Sequence, residues 1–183
     1  MNIQKKKAVI LGALFLIALF SDIISISISN WLGIMILDLI SGVALIGIGI
    51  TIFKIFKPYN KNLSLGYSGI RIIEGLFFIF MAISLLYQMT TSGISVSTVL
   101  IDTIYVYIFG SGAFIFYYLL YKTKFVPRFI SIWGFIAIIM LLIANSLGML
   151  GNDSAMTIFL ASPIALNELF LAIWLIFKGF NIK

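Results

Sequence analysis

The 183-residue chain contains no cysteine and no histidine. Without cysteine there is no disulfide, no thiol nucleophile and no thiolate metal site. Without histidine the commonest general base is missing, as are ordinary zinc, copper and haem ligands. Charge is also scarce: 10% of residues, with only six acids, where soluble domains carry about a quarter. Proline occurs three times, so long stretches are free of helix breakers. What fills the chain instead is apolar: 62% hydrophobic residues and a mean hydropathy of +1.20. A soluble globular domain does not have this composition.

A membrane-spanning helix needs about 20 mostly apolar residues, and the chain divides into six such stretches. The expected spans are Ala8–Ile28, Trp31–Phe53, Tyr67–Met89, Thr98–Tyr121, Phe129–Leu150 and Ala155–Phe177. They leave only short connections, so residues 1–183 are expected to form one all-α, six-helix transmembrane domain. Lys5, Lys6 and Lys7 precede the first span. Lys54, Lys57, Lys61 and Arg71 surround the second connection, Lys122, Lys124 and Arg128 the fourth, and Lys178 and Lys183 the tail. The first, third and fifth connections carry no basic residue. Because Lys and Arg are retained on the cytoplasmic side, both termini are expected in the cytoplasm. The net charge of +6 then lies along an anionic lipid surface, and its division among short segments beside apolar helices argues against nucleic acid.

Local features refine this picture. Lys5–Lys7 and the apolar run after them resemble a signal peptide, but no small-x-small cleavage pattern follows before Trp31. A retained helix is expected, and the alternating serines Ser21–Ser29 are its outer third, since an isolated strand cannot satisfy its backbone in lipid. Aromatics mark the interfaces: Trp31 outside; Tyr59, Tyr67, Tyr121, Trp133 and Trp174 toward the inside. Pro127 fits a first helical turn, whereas Pro163 inside the sixth span should free the carbonyl of Phe159 and bend the helix. Phe56-Lys57-Pro58-Tyr59-Asn60 and Phe177-Lys178-Gly179-Phe180-Asn181 look alike and read as two solutions to one inner boundary, an aromatic beside a snorkelling lysine.

Ionisable residues inside the spans carry most of the functional information, because each costs about 2.5–3.5 kcal/mol near the bilayer centre. An outer set comprises Asp22, Asp38 and Asp102, with Asn145 at similar depth. Asp22 continues a stripe of Ala18, Ser25 and Ser29, and Asp38 lies over Gly42 and Gly49, small polar faces that point toward other helices. With no basic residue on that side, these acids are hydrated at the interface, hydrogen-bonded, protonated or bound to a cation. An inner set comprises Arg71, Glu74 and Glu168. Arg71 and Glu74 are three apart on one helix and can meet. Glu168 shares a face with Ala161, Ala165 and Ala172 and lies roughly 14 Å from the inner end of its helix. Two readings stand: an ion cluster holding the third helix to the sixth, or a titrating, ligand-binding carboxylate tuned by Arg71.

Several chemistries fall away. Gly110-Ser111-Gly112 resembles a serine-nucleophile context, but no histidine exists to activate it and every lysine sits at the inner boundary. Gly47-x-Gly49 is mid-membrane with no following basic residue, unlike a phosphate loop. The surroundings of Asp22 and Asp38 match no aspartyl-protease motif. No catalytic residue, cofactor or metal is assigned.

Three segments carry a family resemblance: Arg71-Ile72-Ile73-Glu74-Gly75, the block from Tyr121 through Val126-Pro127-Arg128-Phe129 to Trp133-Gly134, and Asn167-Glu168 through Trp174 to Asn181. Together they are similar to the bacterial integral-membrane family catalogued as domain of unknown function 4386. Lys6-x-Ala8 and Asp38 ahead of Lys57-Pro58-Tyr59-Asn60 also fit. The first outer connection, Ser29–Trp31, is shorter than in many members. The resemblance covers nearly the whole chain and implies a multi-pass protein of the bacterial cell membrane. It supplies no mechanism, but it singles out Arg71, Glu74, Pro127, Arg128 and Glu168.

The expectation is a non-catalytic accessory, sensory or structural membrane component, surrounded by lipid, with an unidentified membrane partner or a second copy as its remaining kind of partner. The alternative is a small cation- or proton-coupled transporter using the outer acids and Glu168. The orientation has a direct test, because the chain is free of cysteine: cysteines introduced at Thr91 and Asn152 should react with an impermeant maleimide outside intact cells, and one at Asn60 should not. Labelling at Asn60 would invert the topology.

Overall fold

A computed structural model describes residues 3–90, 98–151 and 155–181, with the side chains of Thr90, residues 98–103 and Ala155 outside that description. Thr91 and Asn152 therefore lie outside the described residues. Six helices account for almost all of the chain: α1 Ile3–Ser27, α2 Trp31–Phe56, α3 Lys61–Thr90, α4 Thr98–Thr123, α5 Arg128–Met149 and α6 Ala155–Phe177. All six are long and apolar enough to cross a membrane. α6 has the expected bounds. α1 and α3 begin earlier than hydropathy suggested, because a helix does not stop where its apolar stretch stops. Asn60 caps α3, its side-chain oxygen accepting from Leu63 N at 3.0 Å, so the first turn and a half carries Lys61 and other polar residues. Asn30 similarly accepts from Leu32 N at 3.1 Å and starts α2. Pro127 precedes α5 as its N-cap and does not occupy the first turn; it lends its carbonyl to Ile130 N at 3.1 Å.

Each helix packs against its neighbours in sequence, and α6 returns to α1, giving a closed ring of six. The start of α1, the end of α6 and the α2–α3 and α4–α5 connections share one end, called below the basic end. Asn181 N donates to Phe125 O there at 2.8 Å. Leucine, isoleucine and phenylalanine cover the ring's exterior, as at Ile17, Phe20, Ile73, Phe80 and Ile136. Lipid is as apolar as these side chains, so burial alone cannot drive the helices together; close packing through small residues must contribute. The α2–α3 crossing shows it. A Cβ on Gly42 would lie 2.7 Å from Gly75 O, and one on Gly75 would lie 2.6 Å from Gly42 O. The two backbones are in direct contact.

Aromatic rings fill the ring's axis. Phe15 of α1 stacks on Phe116 of α4, across the bundle, at 5.7 Å, and Tyr67 stacks on the same ring at 5.1 Å. At the basic end Phe125, on the α4–α5 connection, gathers Phe56 at 5.2 Å, Tyr59 edge-on at 4.9 Å and Phe180 at 5.2 Å. The two similar sequence endings thus converge on one residue and close that mouth. Within α6, the hydroxyl of Ser162 donates to Phe159 O at 2.9 Å, meeting the carbonyl that Pro163 leaves without its amide partner.

Overpacking a tight contact typically costs about 1–3 kcal/mol. Gly75→Ala should therefore lower the melting temperature of the solubilised protein clearly. Gly69→Ala on the same helix, where a Cβ meets nothing within 4 Å, should leave it unchanged or slightly raised. Equal effects would show that the α2–α3 contact is not a tight one.

Candidate functional site

Arg71 projects from α3 into the centre of the ring and is 3% exposed. Its Nη1 donates to Glu74 Oε2 at 2.7 Å, and its Nε donates to the Tyr67 hydroxyl at 2.7 Å. Nη2 lies 3.5 Å from Glu168 Oε1. Because α3 and α6 are not neighbours in the ring, this last contact spans its interior. The guanidinium is also flanked by the rings of Phe15 at 5.8 Å, Tyr67 at 5.5 Å and Phe109 at 5.2 Å. Helices α1, α3, α4 and α6 therefore all meet one cation. Desolvated cation–ring contacts contribute about 2 kcal/mol or more. Hydrogen-bonded carboxylates offset more of the cost of burying the charge.

This arrangement corrects two sequence expectations. Tyr67 is fully buried and is not an interface marker; it sits one turn before Arg71 on the same face and supplies an oxygen to the guanidinium. Arg71 itself is not at the basic end, so the orientation rests on the other basic residues. A second strut, unassigned from sequence, runs parallel to the first. The Tyr117 hydroxyl of α4 donates to Asn167 Oδ1 of α6 at 2.6 Å, while Asn167 Nδ2 donates to Ile130 O of α5 at 3.0 Å. Tyr117 can lie there because it passes directly over Gly134, where any Cβ would collide with its ring. The spacing Tyr67-x-x-x-Arg71-x-x-Glu74 was a helical-face signal for the first strut. Nothing in the sequence pointed to Tyr117.

The cluster is unbalanced: two carboxylates face one guanidinium. Glu74 is 1% exposed, and its Oε1 has no hydrogen-bond partner among the described residues. Glu168 keeps 16% of its side chain accessible.

Farther from the basic end, α1 and α2 exchange hydrogen bonds. The Ser41 hydroxyl of α2 donates to Asp22 of α1, and the Ser25 hydroxyl of α1 donates to Asp38 Oδ1 of α2 at 2.9 Å. Both helices carry Asp-x-x-Ser, Asp22-Ile23-Ile24-Ser25 and Asp38-Leu39-Ile40-Ser41. In antiparallel register each aspartate meets the other helix's serine. The repeated tetrapeptide was the available signal, and Ser41 was missed. Asp102 lies in α4, with its side chain outside those described. Asn145 is on α5, half-buried, with Nδ2 unpartnered among the described residues. Asn145 does not join the two aspartates, because the space they face is lined from α1 to α4.

That space is a cavity of about 640 Å³ in the half of the bundle away from the basic end. Asp22 and Asp38 stand on one side, and Phe77, Phe78, Met81 and Tyr105 form the other. The Arg71 layer lies between it and the closed basic end. Among the described residues no group of three His, Cys, Asp or Glu side chains is placed to hold a metal ion. The Ser111 hydroxyl donates to Ile108 O of its own helix at 2.7 Å. The arrangement offers an acid-lined, aromatic-walled space above a locked ion cluster.

Removing one partner of a buried ion pair typically costs about 3–5 kcal/mol, whereas replacing all partners by neutral groups is often tolerated. Arg71→Ala should sharply reduce folded yield in membranes, measured by fluorescence-detected gel filtration, while Lys61→Ala should not. Combining Arg71→Met with Glu74→Gln and Glu168→Gln should restore much of the loss. No recovery would mean that the cation's packing, and not charge compensation, dominates.

Two comparisons, with curated proteins and with solved structures, find no match. A family model does match, over residues 18–179. That range takes in Asp22, Asp38, the Arg71 cluster, Phe125 and Asn167, and it extends through all six helices. Its description is a domain of unknown function, DUF4386, and the chain belongs to that family.

Proposed function

We propose that the protein is a non-catalytic, membrane-embedded binding component, with both termini in the cytoplasm and a blind vestibule facing the outer side. The observation that carries this reading is the cavity of about 640 Å³, within the roughly 300–1,000 Å³ of small-molecule sites. Beneath it lies a packed layer in which Arg71 is buried among three rings and two carboxylates. Below that, Phe56, Phe125 and Phe180 close the basic end. A space closed at one end suits sensing or presentation of a ligand better than passage. The absence of Lys and Arg from the first, third and fifth connections supports a mouth on the outer side.

A second reading, a small cation- or proton-coupled transporter, draws on the excess of carboxylate over guanidinium at Arg71, Glu74 and Glu168. It requires the Phe125 cluster to part. Single cysteines separate the two. On intact cells, Met81→Cys should react with an impermeant methanethiosulfonate and Phe125→Cys should not. An unreactive Met81→Cys in folded protein would end the vestibule reading. Reproducible proton or cation flux in proteoliposomes, abolished by Glu168→Gln, would establish transport in its place.

A further inference from the structure

We propose that the vestibule binds a small organic cation, an aromatic or branched amine or quaternary ammonium, with its charge between Asp22 and Asp38 and its apolar body against Phe77, Phe78 and Tyr105. This rests on the vestibule reading and adds the chemical class of the ligand.

Two observations point to it. The first is charge. Asp22 and Asp38 each accept one serine hydroxyl, which among the described residues leaves most of each carboxylate's acceptor capacity unused. Arg71, in the layer beneath them, is already engaged by Glu74 and Glu168. Carboxylates without a paired cation are matched by an incoming positive charge, which also favours their ionised form. The second is the opposite wall. Tyr105 stacks on Phe77 at 5.9 Å and meets Phe78 edge-on at 5.3 Å, fixing three rings in one cluster along the cavity. Aromatic faces attract cations, and recognition of quaternary ammonium groups uses such rings.

Bare metal ions fit poorly. Hard cations take six or more oxygen ligands, while among the described residues this cavity offers two carboxylates and Ser25 against a wall of rings and Met81. Its volume exceeds that of an ion many times over. Anions are disfavoured by both aspartates. A neutral apolar molecule would satisfy the rings and leave the acids unmatched. An amine carrying an apolar group complements both walls.

The test uses the purified, detergent-solubilised protein and benzyltrimethylammonium as probe, with binding measured by equilibrium dialysis. Benzyl alcohol, benzenesulfonate, and potassium and magnesium chlorides serve as neutral, anionic and inorganic comparators. Saturable binding of the ammonium is expected, with affinity weakened by roughly tenfold or more in Asp38→Asn. That change preserves shape and still accepts the Ser25 hydroxyl. Tyr105→Leu, which leaves both acids in place, should weaken binding as well. The probe should also slow thiol labelling of Met81→Cys, and should fail to do so when Asp38→Asn is added. Equal binding of benzyl alcohol, or unchanged affinity in a folded Asp38→Asn protein, would overturn the proposal. So would displacement of the probe by millimolar magnesium alone at constant ionic strength. Reactive Met81→Cys without ammonium binding would reject the ligand class and leave the vestibule intact; unreactive Met81→Cys would reject the vestibule itself.

Discussion

The fold depends on holding one guanidinium in the middle of a membrane-spanning bundle. Arg71 cannot snorkel to an interface, since it is buried at the centre of the ring with contacts to four helices. A charge at that depth persists only if protein groups replace its hydration. Tyr67, Glu74 and Glu168 supply oxygens, and Phe15, Tyr67 and Phe109 supply ring faces. The requirement fixes relative helix positions: α6 must present Glu168 across the interior, and α1 and α4 must bring their aromatics to the same level. Apolar packing in lipid is weakly directional, so a buried ion cluster of this kind adds registry that leucine and isoleucine alone would not.

The surrounding contacts accommodate that centre. Gly42 and Gly75 let α2 and α3 touch backbone to backbone, and Gly134 makes room for Tyr117 to reach Asn167. The Asp22–Ser41 and Ser25–Asp38 pairs hold α1 to α2 where no aromatic plug fills the axis. The result is a bundle packed tightly from its middle to the basic end and left open in its other half. A cavity arises there because the interior aromatics Phe77, Phe78 and Tyr105 line one wall without meeting the other. The proposed binding role rests on that difference between a filled half and an unfilled one.

Much of the architecture was legible in the chain. Long apolar stretches gave six helices, because a backbone in lipid must satisfy its own hydrogen bonds. The boundaries were less legible. Hydropathy marks where lipid begins, whereas Asn60 and Asn30 mark where helices begin, and the two differ by up to six residues at α3. Within the candidate site, Arg71 and Glu74 announced themselves by being charged in an apolar stretch, and their three-residue spacing by itself permits contact. Tyr67 was read as an interface aromatic because tyrosine has two habitats, and only its partner distinguishes them.

The sequence by itself determined the composition of the solvent this protein needs, the number and type of its elements, and which ionisable residues must find partners. These are local properties, set by hydropathy over about twenty residues and by the cost of an unpaired charge. Only the tertiary structure decided that the helices close into a ring, that Arg71 meets Glu168 through its interior, and that two Asp-x-x-Ser segments interlock. It alone brought Asp22 and Asp38 to one cavity with Tyr105 while leaving Asn145 apart. Helices apolar on every side carry no stripe that says which face turns inward. That choice is made by shape, where glycine meets backbone and ring meets ring, and shape is a property of the assembled bundle.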